Sequence, residues 1–143
     1  MHVIRIVGAD RRAREDSATA LVAALVRRGV GVSVVARCAA EVAFDRPGKD
    51  SHAHRAAGAR DVAVISGARW AVLHEHEAGA AEPSLAHQLA RLAPVDWVIA
   101  LDHDEGPGEP LRLDSDGTPW WRGRRYGAGG ADALAGALTA SPA

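Results

Sequence analysis

The sequence predicts an α/β fold, a three-layer sandwich around a mostly parallel sheet, and three observations carry that expectation. The chain opens with a strand, a helix and a second strand, a βαβ unit that calls for a right-handed crossover and parallel strands. Strand-like and helix-like segments alternate beyond it, as in a sheet with helices on both faces. Asp96-Trp97-Val98-Ile99-Ala100-Leu101 is almost continuously apolar, the character of a strand covered on both sides.

Val3–Gly8 reads as a buried strand that ends at a glycine. A helix from about Ala13 to Arg28 follows, with Ala18, Leu21, Val22, Leu25 and Val26 on one face. Arg27 and Arg28 complement its negative end, and Gly29 stops it. Gly31–Ala36 is the second strand. Asp50 and Ser51 are both good N-caps for a short helix that Gly58 terminates. Asp61–Ser66 is a third strand, Ser66-Gly67-Ala68 a turn, and Trp70–Glu75 a strand that pairs nearby. Pro83-Ser84 opens a helix through about Leu92, which Pro94 breaks. After Asp96–Leu101, the acidic and Gly/Pro-rich stretch Asp102–Pro110 reads as a loop, and Leu111-Arg112-Leu113 as a short strand. Residues 118–130, with two adjacent tryptophans and four glycines, fit no element, and Ala131–Ala140 is a final helix.

With 143 residues the chain is long enough for one domain, 1–143, with its own core. It is 48% hydrophobic and 24% charged, in the ordinary range for globular proteins. The formal net charge is −1 with both signs spread along the chain, which argues against broad electrostatic binding to nucleic acid or an anionic membrane. Cys38 is the only cysteine, so an intramolecular disulfide and a multi-cysteine metal site are excluded. No apolar run is long enough to span a bilayer, and Met1 leads into a strand rather than a secretory pattern. The expected location is the cytoplasm.

The most specific stretch is Asp45-Arg46-Pro47-Gly48-Lys49-Asp50-Ser51. Pro47-Gly48 is a turn dipeptide, and Arg46 and Lys49 flank it near the positive end of the short helix. That arrangement suits an anion, phosphate in particular. The alternative is a solvated loop with two basic residues. Together with His54-Arg55 and Ala57-Gly58-Ala59, the stretch resembles the signature of the MobB family, molybdopterin-guanine dinucleotide biosynthesis adapter proteins. Arg69-Trp70-Ala71-Val72-Leu73-x-Glu75 resembles a second run of that family. The resemblance spans roughly residues 3–117 and is strongest over 45–75. It implies a P-loop NTPase-like fold, GTP and Mg²⁺ as ligands, weak GTPase activity, and a homodimer. It also implies assistance to the guanylyltransferase that attaches GMP to molybdopterin.

The phosphate-binding positions depart from that pattern. A P-loop carries Gly-x-x-x-x-Gly-Lys-Ser/Thr in the first βα turn: glycines for close backbone approach, lysine for the outer phosphates, a hydroxyl for Mg²⁺. Counting from Gly8, the second glycine is Ala13, the lysine Arg14 and the hydroxyl Glu15. A Cβ at 13 crowds the phosphate, and Glu15 with Asp16 places negative charge where a triphosphate would sit. As a helix start the segment is sound, since acidic residues favour a first turn. Gly8, Arg11, Arg12 and Arg14 leave room for weak anion binding. Ala36-Arg37-Cys38-Ala39-Ala40 stands where the family has a histidine-rich run. Leu101 stands where it has a glutamate, with Asp102 one position on.

These features read as an adapter rather than an enzyme, nucleotide binding weakened or lost. Its partner is a molybdenum cofactor guanylyltransferase or a molybdopterin-related ligand, met through the segment from Arg46 to Ser51. An active GTPase with a variant loop is one alternative. A metal-delivery protein is another, using His74 and His76 with His52, His54, His103 or Cys38. Trp120 and Trp121, followed by Arg122, Arg124 and Arg125, are candidates for a self-association interface, because adjacent tryptophans cannot share one face of a strand.

Overall fold

The computed structural model describes residues 1–38, 44, 48–127 and 129–140. The chain divides into two compact units, Met1–Cys38 with Pro83–Ala143, and Ala39–Glu82.

The first unit is the three-layer α/β sandwich. Its elements are β1 (His2–Gly8), α1 (Arg11–Arg27), β2 (Val32–Ala36), and, after the second unit, α3 (Leu85–Leu89) and β5 (Trp97–Leu101). Then come β6 (Glu109–Leu113), β7 (Pro119–Trp121), β8 (Arg124–Arg125) and α4 (Gly130–Ala140). The sheet runs β2-β5-β1-β6-β7-β8. Its first four strands are parallel and the last two antiparallel. Alternation along the central strands splits the core. Ile4, Ile6, Ile99 and Leu101 face α1 and α4, where Leu21, Leu25, Leu134 and Leu138 are buried. Val98 and Ala100 face the other way, against Leu85 and Leu89 of α3. β5 is thus apolar on both sides, as its unbroken run of Val98, Ile99, Ala100 and Leu101 requires. Burying each Leu or Ile of this core stabilises the fold by about 1.5–3 kcal/mol.

Several local expectations are corrected. The first helix begins at Arg11, because Asp10 caps it and accepts from the Ala13 N–H at 2.8 Å. Glu15 and Asp16 therefore lie in its second turn, and the first turn holds no acid. Arg11 and Arg12 sit at the positive end of the helix dipole, and their i+4 partners Glu15 and Asp16 offset that placement. Val26, placed on the apolar face, is exposed. α3 stops at Leu89, short of Leu92, although Ser84 caps it as expected. Residues 118–130 include a small hairpin, β7–β8, turning at Arg122-Gly123, both in the left-handed region.

β5 reaches β6 without a helix, by the segment 102–108, which is held against β1. Arg5 donates to the carbonyls of His103, Asp104 and Gly108. A Cβ on Gly108 would lie 2.6 Å from the Val3 carbonyl oxygen, so only glycine permits that approach. At the far end, α1 and α4 are clamped by Asp132, which accepts from Arg27 at 2.9 Å and Arg28 at 3.0 Å.

The second unit holds α2 (Asp50–Ala56), β3 (Asp61–Ser66) and β4 (Arg69–His74). β3 does not extend the main sheet. It pairs antiparallel with β4 through a two-residue turn, Gly67-Ala68, as a separate hairpin. Asp50 and Ser51 are not caps: Lys49 holds the N-cap position with no side-chain bond, and Asp50 is the first helical residue. Val62 is the buried apolar side chain of the hairpin, while Ile65 and Trp70 are 81% and 76% exposed.

Candidate functional site

The β1–α1 turn lies where the C-terminal ends of the central parallel strands β1 and β5 meet, the usual ligand position in an open α/β sheet. Gly8 and Ala9 both take positive φ, 81° and 49°, before Asp10 caps the helix. Gly8 is required there on two grounds: its φ, and a Cβ that would stand 2.6 Å from the Leu113 carbonyl oxygen. Ala9 in the left-handed region costs about 1–2 kcal/mol. On β5, the residue just past the strand, Asp102, also has positive φ, 60°.

Arg14 ties these positions together. Its Nε and Nη2 donate to Asp102 Oδ1 at 3.0 and 2.7 Å. Its Nη1 donates to the carbonyls of Gly8 and Ala9 at 3.2 and 2.8 Å. Both side chains of the pair are 21% exposed. The turn therefore presents carbonyl acceptors to a guanidinium at its centre, where a phosphate loop presents N–H donors to an anion. The two non-glycine residues held at positive φ here, Ala9 and Asp102, are both held by Arg14, so these bonds offset local strain.

The other basic residues expected here are also paired. Arg11 donates to Glu15 at 2.8 Å, and that hydrogen bond raises the Arg11 guanidinium above its ordinary value. Arg12 lies 3.9 Å from Asp16, both well exposed. Gly8, Arg11, Arg12 and Arg14 are thus brought to one turn, and each arginine faces a carboxylate. Asp102, read from sequence as standing one position past the family's glutamate, was not expected to meet Arg14; its position one residue past an interior strand was the available signal.

In the second unit, Gly48, Lys49, Asp50 and Ser51 are placed at the start of α2, with Lys49 exposed. Asp45, Arg46 and Pro47 lie outside the described residues. A cleft of about 440 Å³ opens beside this helix, lined by His52, Arg55, Arg60, Glu75, His76 and Glu77. Arg55 donates to Glu75 at 2.6 Å and Arg60 to Glu77 at 3.3 Å, while the Glu75 N–H donates to the Arg60 carbonyl at 3.0 Å. The run containing His54-Arg55 and the run ending at Glu75, separate in sequence, meet here. Of these cleft residues, His52 and His76 were expected only as metal ligands, and Arg55 and Glu75 only as parts of the two family runs; the cleft itself was not legible, because it joins positions about 20 apart.

His74 hydrogen-bonds Asp61, and the rings of His74 and His76 stand edge-on with centroids 5.6 Å apart. Among the described residues no three His, Cys, Asp or Glu side chains converge as a metal site. The two tryptophans part ways: Trp121 is 5% exposed in the core beneath Arg122, and Trp120 is 38% exposed with Arg125 over its ring. No described helix is long and apolar enough to cross a membrane.

The profile of a family described as molybdopterin guanine dinucleotide synthesis protein B, MobB, matches residues 3–106. The chain belongs to the MobB family. A search of curated proteins returns no match. Among solved structures, Bacillus subtilis MobB is similar at a TM-score of 0.62 and 14% identity, covering 80% of this chain and 69% of that one. A MobB homologue from Bacillus stearothermophilus gives 0.58 and 21%, covering 79% and 63%. A molybdopterin-guanine biosynthesis protein B gives 0.57 and 20%, covering 78% and 67%. This MobB chain thus spans about two thirds of the length of those structures. It shares their fold, and the MobB family is P-loop NTPase-like in architecture.

Proposed function

We propose that this MobB chain is an accessory protein of molybdopterin guanine dinucleotide synthesis that acts by contact, its β1–α1 turn no longer taking up GTP and Mg²⁺. One observation carries the reading: the Arg14 guanidinium bonds Asp102 and the carbonyls of Gly8 and Ala9, the groups that border a phosphate site. A triphosphate entering that turn would have to break those bonds and meet Asp102 and Glu15, both acidic, without a lysine or a hydroxyl to take their place. Family membership supplies the pathway. The partner is a guanylyltransferase or a molybdopterin-related ligand, contacted in the cytoplasm through the signature segment, where Lys49 is the exposed cation among the described residues. Self-association as a homodimer belongs to the same reading, with exposed Ile65, Trp70 and Trp120 as apolar contact points.

The test is a reconstituted guanylyltransferase reaction with molybdopterin, GTP and Mg²⁺, run with and without the chain. Stimulation is expected with wild type and with Arg14→Ala, and reduced with Lys49→Ala. Stimulation that disappears in a folded Arg14→Ala variant would point to nucleotide handling at the turn and overturn the proposal.

A further inference from the structure

We infer that the cleft between α2 and the residues following β4 binds a 2-amino-4-oxo heteroaromatic ring that carries a phosphate monoester. A pterin phosphate and a guanine nucleotide both present that chemistry. The inference rests on the reading that the chain works in molybdopterin guanine dinucleotide synthesis, whose product contains both kinds of ring. It assigns the contact to a place other than the closed β1–α1 turn.

The lining residues define the ligand. Among the described residues the lining carries two arginines and two glutamates, so a bare anion meets repulsion as well as attraction there. A ligand with a donor edge at one end and an anion at the other complements both sets. The amino and ring N–H groups of a 2-amino-4-oxo ring form such an edge, and an ionised carboxylate accepts through about four positions. Glu75 is the half-buried carboxylate, and its bond from Arg55 occupies one oxygen, Oε1, at 2.6 Å. A guanidinium carries five N–H donors in a planar fork suited to phosphate, so the bond from Arg60 to Glu77 does not exhaust the Arg60 side chain. Arg60 stands at the mouth, 69% exposed and bonded to Glu77 at 3.3 Å, where a phosphate can remain partly in water.

The shape agrees. Ala56, Gly58 and Ala59 give one stretch of wall without long side chains, fitting a flat ring, and His52 and His76 supply aromatic faces nearby. The volume, about 440 Å³, lies within the range of roughly 300–1,000 Å³ typical of small-molecule sites.

The experiment is an amide-resolved NMR titration of the full chain with four probes: 6-hydroxymethylpterin monophosphate, 6-hydroxymethylpterin, GMP and inorganic phosphate. Saturable shifts at residues 52–60 and 75–77 are expected with at least one phosphorylated ring, and the tighter of the two identifies the source. Unphosphorylated pterin and inorganic phosphate should each bind at least tenfold more weakly. Glu75→Gln, which keeps the side-chain volume, and Arg60→Ala, at an exposed position, should each weaken binding at least tenfold with otherwise unchanged spectra. Arg14→Ala should bind as wild type. No saturable shift at millimolar probe, equal binding of inorganic phosphate, shifts centred on Gly8–Arg14, or wild-type affinity in both cleft variants would each overturn the inference. Guanylyltransferase stimulation without probe binding would sink the cleft alone. Probe binding without stimulation would sink the adapter reading alone.

Discussion

Replacing Arg14 by alanine removes four hydrogen bonds from one turn: two to Asp102 and one each to the carbonyls of Gly8 and Ala9. Hydrogen bonds to charged groups contribute about 1.5–3 kcal/mol each. At an effective dielectric near 20, the attraction within a pair such as Arg14–Asp102 is about 4 kcal/mol before desolvation. Desolvation offsets much of that. Because the side chains are 21% exposed, water also replaces part of the lost bonding at Asp102. The expected net cost of Arg14→Ala is therefore about 2–3 kcal/mol, which for a chain of this size lowers Tm by roughly 6–10 °C. Urea denaturation of wild type, Arg14→Ala, Asp102→Asn and the double variant measures it. The double variant should be more stable than the sum of the single losses by about 1–2 kcal/mol. An unchanged midpoint in Arg14→Ala, or strictly additive losses, would show that the guanidinium is not held by the turn and would refute the reasoning.

Other perturbations test neighbouring parts of the account. Gly8→Ala combines a left-handed φ with a 2.6 Å approach to the Leu113 carbonyl oxygen, and a loss of about 3 kcal/mol by urea denaturation is expected. Trp121→Ala should cost about 3–5 kcal/mol from the core, against less than about 1 kcal/mol for Trp120→Ala; equal losses would contradict the packing. Hydrogen bonds from Arg27 and Arg28 hold the Asp132 carboxyl below its ordinary value near 3.8. Its contribution is thus fully present above that value and fades as pH falls through the lower folded-state value. Asp132→Asn should then melt below wild type at neutral pH and converge with it at strongly acidic pH, whereas a gap independent of pH would contradict the clamp.

The parts of the fold that could be read from sequence are those where one local pattern has one solution. The unbroken apolar run of β5 needs cover on both faces, and the Ala18-Leu21-Leu25 stripe of α1 needs one buried side. Other features depend on partners remote in sequence. Alternation in Asp61–Ser66 signals a strand but not which sheet it joins, and pairing with Arg69–His74 decides that. The β7–β8 hairpin was illegible because its turn places Arg122 at φ 48°, against ordinary preference for glycine or asparagine. The true start of α1 was hidden by two cations at its positive end, tolerable only with Glu15 and Asp16 four residues on. At the turn, the altered residues themselves were visible in sequence. That Arg14 folds back onto Asp102 was not, since their contact spans 88 residues.

Isothermal titration of the full chain with GTP in the presence of Mg²⁺ tests the central claim most directly. With the turn occupied by Arg14, heats in Glu75→Gln, which weakens the cleft beside α2, should stay unsaturated to millimolar GTP, and Arg14→Ala should leave the wild-type isotherm unchanged. Micromolar binding to wild type that is lost in Arg14→Ala would mean that the guanidinium serves a bound phosphate, and the account of a closed turn would fall.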